Sequence, residues 1–255
     1  MIKTILWDVD GTLLSFREAE RAAILACFES RGLGVCTEEM VRRYSRLNAR
    51  YWERLELGEL TKPQVLRGRF VEFFAAEGIE ADPDAFNAEY QLRLGDTICY
   101  IDDSYELVKR LRGRVRQYAV TNGTVTAQEK KLARSGFDRL LDGVFISDRV
   151  GVEKPGKVFF DRVFDAVGPC DPAETMIVGD SLTSDMQGGM NAGIVTCWYN
   201  PRGLPNDRGV RVDHEIRDLR EVEALLDEYP YQTDMFVGND GGSPENARII
   251  RESAD

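Results

Sequence analysis

Short apolar runs and longer amphipathic stretches alternate along much of this chain, and they predict its strands and helices. After about residue 96, short apolar runs of the type that form buried strands alternate with stretches whose apolar positions lie three or four residues apart, which is typical of helices. Such alternation favours an α/β fold, in which helices flank both faces of a parallel sheet. The predicted strands are residues 5–7, 115–120, 144–146, 175–178 and 194–198.

Residues 15–95 have a different pattern, because no predicted strand interrupts them. Their apolar positions recur at helical spacing in four successive segments. Thr61 and Gln64 form a predicted capping box at the start of the third helix, with a proline just inside it. We interpret the aromatic stripe of this helix as core packing rather than a base-stacking surface; it consists of Phe70, Phe73 and Phe74.

The two patterns divide the chain into three parts. We predict a core domain built from residues 1–14 and 96–229, with residues 15–95 inserted as a helical domain. Residues 230–255 are rich in Gly, Asp, Ser and Asn, which is typical of a flexible or loosely docked tail. Within the core, a second predicted capping box at residues 126–129 opens a helix that closes at Gly136.

Polar side chains follow several of the predicted strands, at the point where each strand ends. Asp8 and Asp10 follow the first strand, Thr121 and Asn122 follow the second, and Asp180 follows the fourth. Ligands of open parallel sheets bind beyond the carboxyl ends of the strands. Because core packing alone does not require polar residues there, the coincidence predicts a functional site at this edge.

Asp8 and Asp10 are the first candidates for chemistry. They are two residues apart after a buried strand, so both side chains lean to the same side of an extended segment. An Asp-Gly pair often marks only a turn. The second carboxylate argues against that simple interpretation, since two desolvated acids repel each other unless a cation or a reaction justifies them.

Asp180 and Asp185 add two further carboxylates after another buried strand. Each is compatible with a helix-capping role in isolation. Together with Asp8 and Asp10 they supply the hard oxygen ligands that Mg²⁺ prefers. We therefore favour a metal site over helix capping.

Lys154, Thr121 and Asn122 suit a phosphoryl group at the same edge. Lys154 follows a predicted strand and loop, and it offers a fixed positive charge. Thr121 offers a hydroxyl, and Asn122 offers amide donors. A metal, an ammonium, a hydroxyl and a nucleophilic carboxylate together predict phosphoryl chemistry.

Composition and charge limit the class of partner. The chain has 255 residues, of which 43% are hydrophobic and 30% charged, as in ordinary globular proteins. Its net charge is -11, which argues against a nucleic-acid polymer or an anionic membrane as the main partner. An anionic substrate must therefore be handled locally, by a few cations and a metal.

The cysteines and the single histidine exclude other chemistry. The five cysteines are scattered and lack a C-x-x-C, so we expect reduced thiols and a cytoplasmic location rather than disulfides or structural zinc. We expect neither a signal peptide nor a membrane span. His214 lies in a charged stretch without a serine motif, which argues against a Ser-His-Asp mechanism.

The four polar clusters, in this order, resemble the motifs of the haloacid dehalogenase superfamily of phosphohydrolases. The matching stretches are Asp8-Val9-Asp10-Gly11-Thr12, Thr121-Asn122-Gly123, Lys154-Pro155 and Gly179-Asp180-Ser181 through Asp185. The resemblance covers the chain to about Leu226. It implies a Rossmann-like core with a helical cap inserted after the first motif.

The resemblance also implies a role for each residue. Asp8 is expected to attack phosphorus and form an aspartyl-phosphate, while Asp10 protonates the leaving group and then activates water. Mg²⁺ is expected to bind Asp8, the carbonyl of Asp10 and Asp180, with Asp185 orienting those ligands. The expected phosphate-binding residues are Thr121, Asn122 and Lys154.

Several stretches resemble the pyrimidine 5'-nucleotidase branch of this superfamily, including residues 16–20, 58–62 and 197–201. The expected substrate is therefore a pyrimidine nucleoside 5'-monophosphate. A related branch that dephosphorylates N-acetylneuraminate 9-phosphate shares much of the pattern, and a general sugar-phosphate phosphatase is a further alternative. Gly11 departs from the nucleotidase branch, many of whose members carry a second acid at that position.

Other functions use similar residues. A dehalogenase needs neither Asp10 nor magnesium, a phosphomutase has to retain its phosphoenzyme for a second acceptor, and a non-catalytic phospho-accepting module needs no helical insert. The sequence fixes neither the leaving group nor the oligomeric state. The candidates for binding the leaving group are Arg17, Arg46, Arg50 and Tyr51.

Overall fold

A six-stranded sheet, all of whose paired strands are parallel, organises the fold. The computed structural model describes residues 1–227, and its strand order is β3-β2-β1-β4-β5-β6. The predicted α/β class is confirmed, and each predicted strand is present within about two residues. The strands are β1 Thr4–Trp7, β2 Arg116–Thr121, β3 Gly143–Ile146, β4 Thr175–Gly179, β5 Val195–Tyr199 and β6 His214–Ile216.

The order of the strands brings separate parts of the sequence together. β1 lies at the centre of the sheet, paired with β2 on one side and β4 on the other. Trp7 is in register with Ala119 of β2 and with Val178 of β4. Residues that follow these three strands therefore emerge side by side at one edge.

Eleven α-helices occur within residues 1–227, the first four of them between β1 and β2. A 3₁₀ turn (Pro172–Glu174) and a π-helical turn (Leu182–Met186) flank β4. The α-helices are α1 Phe16–Ser30, α2 Glu38–Glu56, α3 Lys62–Glu77, α4 Pro83–Leu94, α5 Ser104–Leu111, α6 Val125–Ser135, α7 Phe137–Leu140, α8 Ser147–Val150, α9 Lys157–Val167, α10 Gln187–Ala192 and α11 Glu221–Asp227.

Buried side chains on both faces of the sheet account for its apolar strands. Trp7 packs on one face with residues of α5, α6, α7 and α11, among them Leu107 and Val222. Leu6 packs on the opposite face with α9 residues such as Phe159. Because β1 is covered on both faces, its residues Ile5, Leu6 and Trp7 are all apolar and do not alternate with polar ones.

α1 to α4, which we call the four-helix segment, have a hydrophobic cluster of their own. The capping box of Thr61 and Gln64 is present at the start of α3. Phe70 stacks on Tyr44 with a centroid distance of 5.2 Å, and its ring lies 4.9 Å from that of Phe86. The prediction that the aromatic stripe is core packing is confirmed.

Two local predictions need correction. α6 begins at Val125 with Thr124 as its N-cap, whose hydroxyl accepts a hydrogen bond from Ala127 N, so the predicted capping box at residues 126–129 is wrong. Thr124 and Thr126 are equivalent as capping residues, but the Thr124 hydroxyl also donates to Gln91 Oε1 of α4 at 2.7 Å, a contact that sequence does not indicate. β6 was not predicted, because three residues of mixed polarity show no strand periodicity.

The proposed division into an inserted helical domain and a core domain remains a prediction. The predicted tail at residues 230–255, like the end of the predicted core, lies outside the residues that the structure describes. Within residues 1–227, no helix is both long enough and apolar enough to cross a bilayer.

Phe70→Ala should lower the free energy of unfolding by about 3–5 kcal/mol, because it removes a buried ring from a close-packed aromatic cluster. Urea unfolding followed by far-UV circular dichroism measures this change. Val71→Ala is the matched control: the Val71 side chain is 42% exposed, and the expected effect is within about 0.5 kcal/mol. Equal effects of the two substitutions would contradict this packing.

Candidate functional site

Asp8 lies directly beyond β1, where the chain leaves the sheet. Its Oδ1 accepts a hydrogen bond from Lys154 Nζ at 2.9 Å, and its Oδ2 accepts one from the Thr12 hydroxyl at 3.2 Å. The side chain is buried, and burial raises the pKa of Asp8 to about 7 in spite of the neighbouring ammonium. Asp8 is thus a carboxylate held in a fixed direction within a poorly solvated pocket.

Lys154 is the buried cation at the centre of the site. Besides Asp8, its Nζ donates to Asp185 Oδ1 at 2.6 Å and to the carbonyl of Val120 at 2.8 Å. Burial lowers the pKa of this lysine, but the carboxylates of Asp185 and Asp8 outweigh that effect and raise it overall. The ammonium therefore remains charged while it is 1% exposed.

Asn122, beyond β2, fixes the backbone of Lys154. Its Nδ2 donates to the Lys154 carbonyl and its Oδ1 accepts from Lys154 N, both at 2.8 Å. Nδ2 also lies 3.3 Å from Ser184 Oγ. The Thr121 hydroxyl accepts a hydrogen bond from Gly123 N at 3.1 Å. The three predicted phosphate-binding residues are adjacent, although the Asn122 amide is occupied with orienting Lys154.

Asp180 and Asp185 complete a group of three carboxylates with Asp8. One oxygen from each lies within 4.8 Å of the others, a spacing that could hold a divalent cation. Asp185 is buried, and its Oδ2 accepts a hydrogen bond from Ser181 N at 3.1 Å. Asp180 touches solvent in the pocket, yet partial desolvation there and repulsion from Asp8 and Asp185 raise its pKa well above the usual range.

Gly11 allows the close approach of Asp180 to the first motif. Its φ of +100° is in the region that favours glycine. A Cβ at this position would lie 2.4 Å from Asp180 Oδ2, which is too close for two non-bonded atoms. A larger residue at position 11 would require Asp180 to move and would be strained at this φ, so glycine suits this arrangement of Asp180.

Asp10 points toward α6 rather than toward the three carboxylates. Gln128 Nε2 donates to its Oδ2 at 2.5 Å, and Lys131 Nζ forms an ion pair with its Oδ1. The carbonyl oxygen of Asp10, a predicted metal ligand, accepts no hydrogen bond within the described part of the chain. Gln128 and Lys131 were not predicted as site residues; their i,i+3 spacing on a helix that starts just beyond β2 was the available indication.

The four-helix segment closes a cavity of about 800 Å³ over this edge of the sheet. Glu56, at the end of α2, accepts hydrogen bonds from the hydroxyls of Ser181, at 3.3 Å, and Thr183. Burial raises the pKa of Glu56 to about 7. Lys62, at the start of α3, donates to Ser147 Oγ at 2.6 Å. No sequence pattern indicated these contacts, because they join residues about 85 to 127 positions apart.

A buried polar network lines the side of the cavity formed by the four-helix segment. Glu20 Oε1 accepts from Asn48 Nδ2 at 2.8 Å, and Asn48 Oδ1 accepts from the Arg69 guanidinium at 2.7 Å. Burial raises the pKa of Glu20. This network joins α1, α2 and α3 and gives the cavity wall a polar, hydrogen-bonding character.

The structure separates the four predicted candidates for binding the leaving group. Arg17 and Arg46 line the cavity. Arg50 and Tyr51 do not line it, and both contact Glu72 instead, at 3.3 Å and 3.0 Å. Only the first two can meet a ligand in the cavity without a rearrangement.

Comparison with known proteins identifies related chains. The family model described as haloacid dehalogenase-like hydrolase matches residues 2–193. The HAD-hydrolase YfnB of Bacillus subtilis is 35% identical over 88% of this chain and 95% of its own. A crystal structure of YfnB bound to magnesium superimposes with a TM-score of 0.84, covering 88% of this chain and 98% of that one at 35% identity.

Two curated pyrimidine 5'-nucleotidases are also similar over nearly their whole length. PynA of Streptococcus pneumoniae is 32% identical over 88% of this chain and 95% of its own. YjjG of Escherichia coli is 29% identical over 87% of this chain and 96% of its own.

The raised pKa of Asp8 predicts how stability depends on pH without metal. Because the folded state holds the Asp8 proton more tightly than the unfolded chain, the stability from this proton is fully present below about pH 4, the usual pKa of an aspartate, and is lost as pH rises to about 7. Asp8→Asn removes the titration. In EDTA, the free energy of unfolding of Asp8→Asn minus that of wild type should therefore increase by about 2–3 kcal/mol between about pH 5 and about pH 7. Urea unfolding at several pH values measures it, and a constant difference would contradict it.

Proposed function

The chain belongs to the haloacid dehalogenase-like hydrolase family, and on that premise we propose that it is a Mg²⁺-dependent phosphomonoester hydrolase with an aspartyl-phosphate intermediate. The observation that supports this most strongly is the grouping of Asp8, Asp180 and Asp185 around buried Lys154, beside a separately held Asp10. Carboxylates, an ammonium and a proton-transfer group are what phosphoryl transfer to an enzyme nucleophile requires.

Asp8 is the proposed nucleophile. An Asp8 oxygen attacks phosphorus in line, and the bond from phosphorus to the leaving-group oxygen breaks. Lys154 and Thr12 hold the carboxylate in one orientation, which reduces the entropy lost on reaching the transition state. Lys154 also places positive charge where the transferring phosphoryl oxygens gather negative charge.

Asp10 is the proposed acid and base. It gives a proton to the departing alkoxide, and as a carboxylate it then takes one from the water that hydrolyses the aspartyl-phosphate. Asp10 and Asp8 have different surroundings: Asp8 faces the other carboxylates and Lys154, whereas Asp10 faces α6. This separation lets the two carboxylates take different tasks, one at phosphorus and the other at the leaving oxygen.

The donor set fits Mg²⁺. Three carboxylates lie within 4.8 Å of one another, and oxygen is the donor that Mg²⁺ prefers. We propose Asp8, Asp180 and the carbonyl of Asp10 as ligands, with Asp185 orienting them through its bonds to Lys154 and Ser181 N. When bound, the cation offsets negative charge on the transferring phosphoryl group.

The proposed substrate is a pyrimidine nucleoside 5'-monophosphate. Its support is the similarity to PynA and YjjG along nearly the full length of both proteins. A cavity of about 800 Å³ lies within the range of small-molecule sites. Glu20, Asn48 and Arg69 line it and hydrogen-bond with one another, which makes this wall polar, as a site for a pyrimidine nucleotide requires.

A second candidate substrate carries a carboxylate, as N-acetylneuraminate 9-phosphate does. Arg17, Arg46 and Arg202 all line the cavity, and within residues 1–227 none of them has a hydrogen bond or an ion pair. The other arginines of the four-helix segment do have such partners; Arg21, for example, pairs with Glu38. Three free guanidinium groups suit a second anionic group on the leaving group.

Asp8→Asn should lower kcat by at least about 10⁴-fold with dUMP and Mg²⁺, because an amide cannot form the aspartyl-phosphate. Release of inorganic phosphate measures turnover, and far-UV circular dichroism checks the fold. Asp161→Asn, an exposed substitution on α9, is the matched control and should leave kcat unchanged. Activity of Asp8→Asn near that of wild type would overturn the nucleophile assignment. A flat profile across nucleotides and sugar phosphates would instead favour a general sugar-phosphate phosphatase.

Arg46→Met separates the two substrate classes. If these arginines bind the carboxylate of the leaving group, a methyl ester that masks it should bind less well. For wild type, the methyl ester of N-acetylneuraminate 9-phosphate should then have a KM about tenfold above that of the parent acid. For Arg46→Met, the two KM values should be equal. Arg50→Met, one turn away on α2 and paired with Glu72, is the matched control. Steady-state KM values measure both. Equal KM values for acid and ester in wild type would exclude the carboxylate class.

A further inference from the structure

The carboxylate of Asp10 is held on both oxygens by one helix. Gln128 Nε2 donates to Oδ2 at 2.5 Å, and the Lys131 ammonium pairs with Oδ1. Both partners come from α6, and both side chains are about 1% exposed. The Asp10 carboxylate itself is 21% exposed, so one side of it remains open to the cavity.

Lys131 has no other anionic partner at hydrogen-bonding distance in the described part of the chain. Its Nζ lies 5.2 Å from the centroid of the Phe16 ring, in a cation–π position, and its ion pair is with Asp10. A buried ammonium needs a paired carboxylate, because an uncompensated buried charge costs several kcal/mol. The pairing therefore fixes the direction of both side chains.

The Gln128 amide lies close against Gly123. A Cβ on Gly123 would lie 2.2 Å from Gln128 Nε2, so the glycine of Thr121-Asn122-Gly123 leaves room for this amide. Gln128 Oε1 is buried and has no hydrogen-bond partner within residues 1–227. The amide is thus retained in a position that satisfies its donor on Asp10 and leaves its acceptor unused.

The geometry points to Gln128 and Lys131 as positioning residues for the two proton transfers of Asp10, an inference that rests on the proposed hydrolase function. In the first transfer, an Asp8 oxygen bonds to phosphorus as the bond between phosphorus and the leaving oxygen breaks, and the electron pair on the leaving oxygen takes the Asp10 proton. Lys131 then neutralises the carboxylate that remains. In the second transfer, this carboxylate takes a proton from water as the water oxygen bonds to phosphorus and the bond to Asp8 breaks.

Two substrates whose leaving groups differ in basicity can distinguish a positioning role of Gln128 and Lys131 from a purely structural one. An alkyl phosphate such as dUMP needs its leaving oxygen protonated, whereas p-nitrophenolate departs from p-nitrophenyl phosphate without a proton. Since kcat/KM reports the steps up to formation of the aspartyl-phosphate, a defect in acid delivery by Asp10 should appear with the first substrate and be nearly absent with the second.

Lys131→Met should therefore lower kcat/KM for dUMP by about 10²-fold and that for p-nitrophenyl phosphate by less than about threefold. Lys131→Arg, which keeps the charge, should recover most of the loss. Lys130→Met is the matched control, because Lys130 is the neighbouring lysine on α6 and pairs with Asp96 away from Asp10. It should leave both values unchanged.

Gln128→Leu provides a second variant of similar volume in case Lys131→Met does not fold, and we expect the same selective loss at about tenfold. Equal losses with both substrates in a folded variant would overturn the inference, as would unchanged kcat/KM for dUMP. If wild type hydrolyses neither substrate with Mg²⁺, the proposed function itself fails, which is a different result from either of these.

Discussion

The contact between the Lys154 ammonium and the carboxylates of Asp8 and Asp185 is the interaction on which the site depends. It places one buried positive charge against Asp8 and Asp185, with Asp180 beside them, so ionisation of all three acids would leave an excess of negative charge. Burial, and after it repulsion between these acids, raises the pKa of Asp8 and of Asp180. A divalent cation would balance this excess and would also have coordination positions left for a phosphoryl oxygen. A second lysine would balance charge but would offer no such positions.

Sheet topology makes this concentration of charge possible. β1, β2 and β4 are neighbours, so residues that follow them meet although they come from positions 8, 121 and 180 of the chain. Lys154 arrives by the connection that follows β3, the outer neighbour of β2, and Asn122 holds its backbone with two hydrogen bonds. A strand order that separated β1 from β4 would leave Asp180 too far away to share a cation with Asp8.

The sequence predicted those features that depend on local patterns. Apolar runs gave five of the six strands, helical spacing gave the four-helix segment, and polar residues after strands gave Asp8, Thr121, Lys154 and Asp180. Contacts between distant elements left no such pattern. Lys131 meets Asp10 across 121 positions and Glu56 meets Thr183 across 127, and in both cases the residue is an ordinary charged residue of an amphipathic helix. Lys131 and Glu56 differ from the other charged residues of their helices only because α6 and α2 pack against the edge of the sheet at these positions.

Asp8 and Asp10 are two residues apart and chemically identical, and the fold gives them opposite surroundings. Asp8 shares a buried ammonium with Asp185 and lies among acids, whereas Asp10 has an ammonium of its own on α6 and an amide on its other oxygen. Nucleophilic attack needs an ionised group close to a cation, while proton delivery needs a group that can exist in both forms near the leaving oxygen. For the proposed mechanism, the short stretch of backbone after β1 would meet both needs, because the residues that follow β3 and β4 surround Asp8 and α6 faces Asp10.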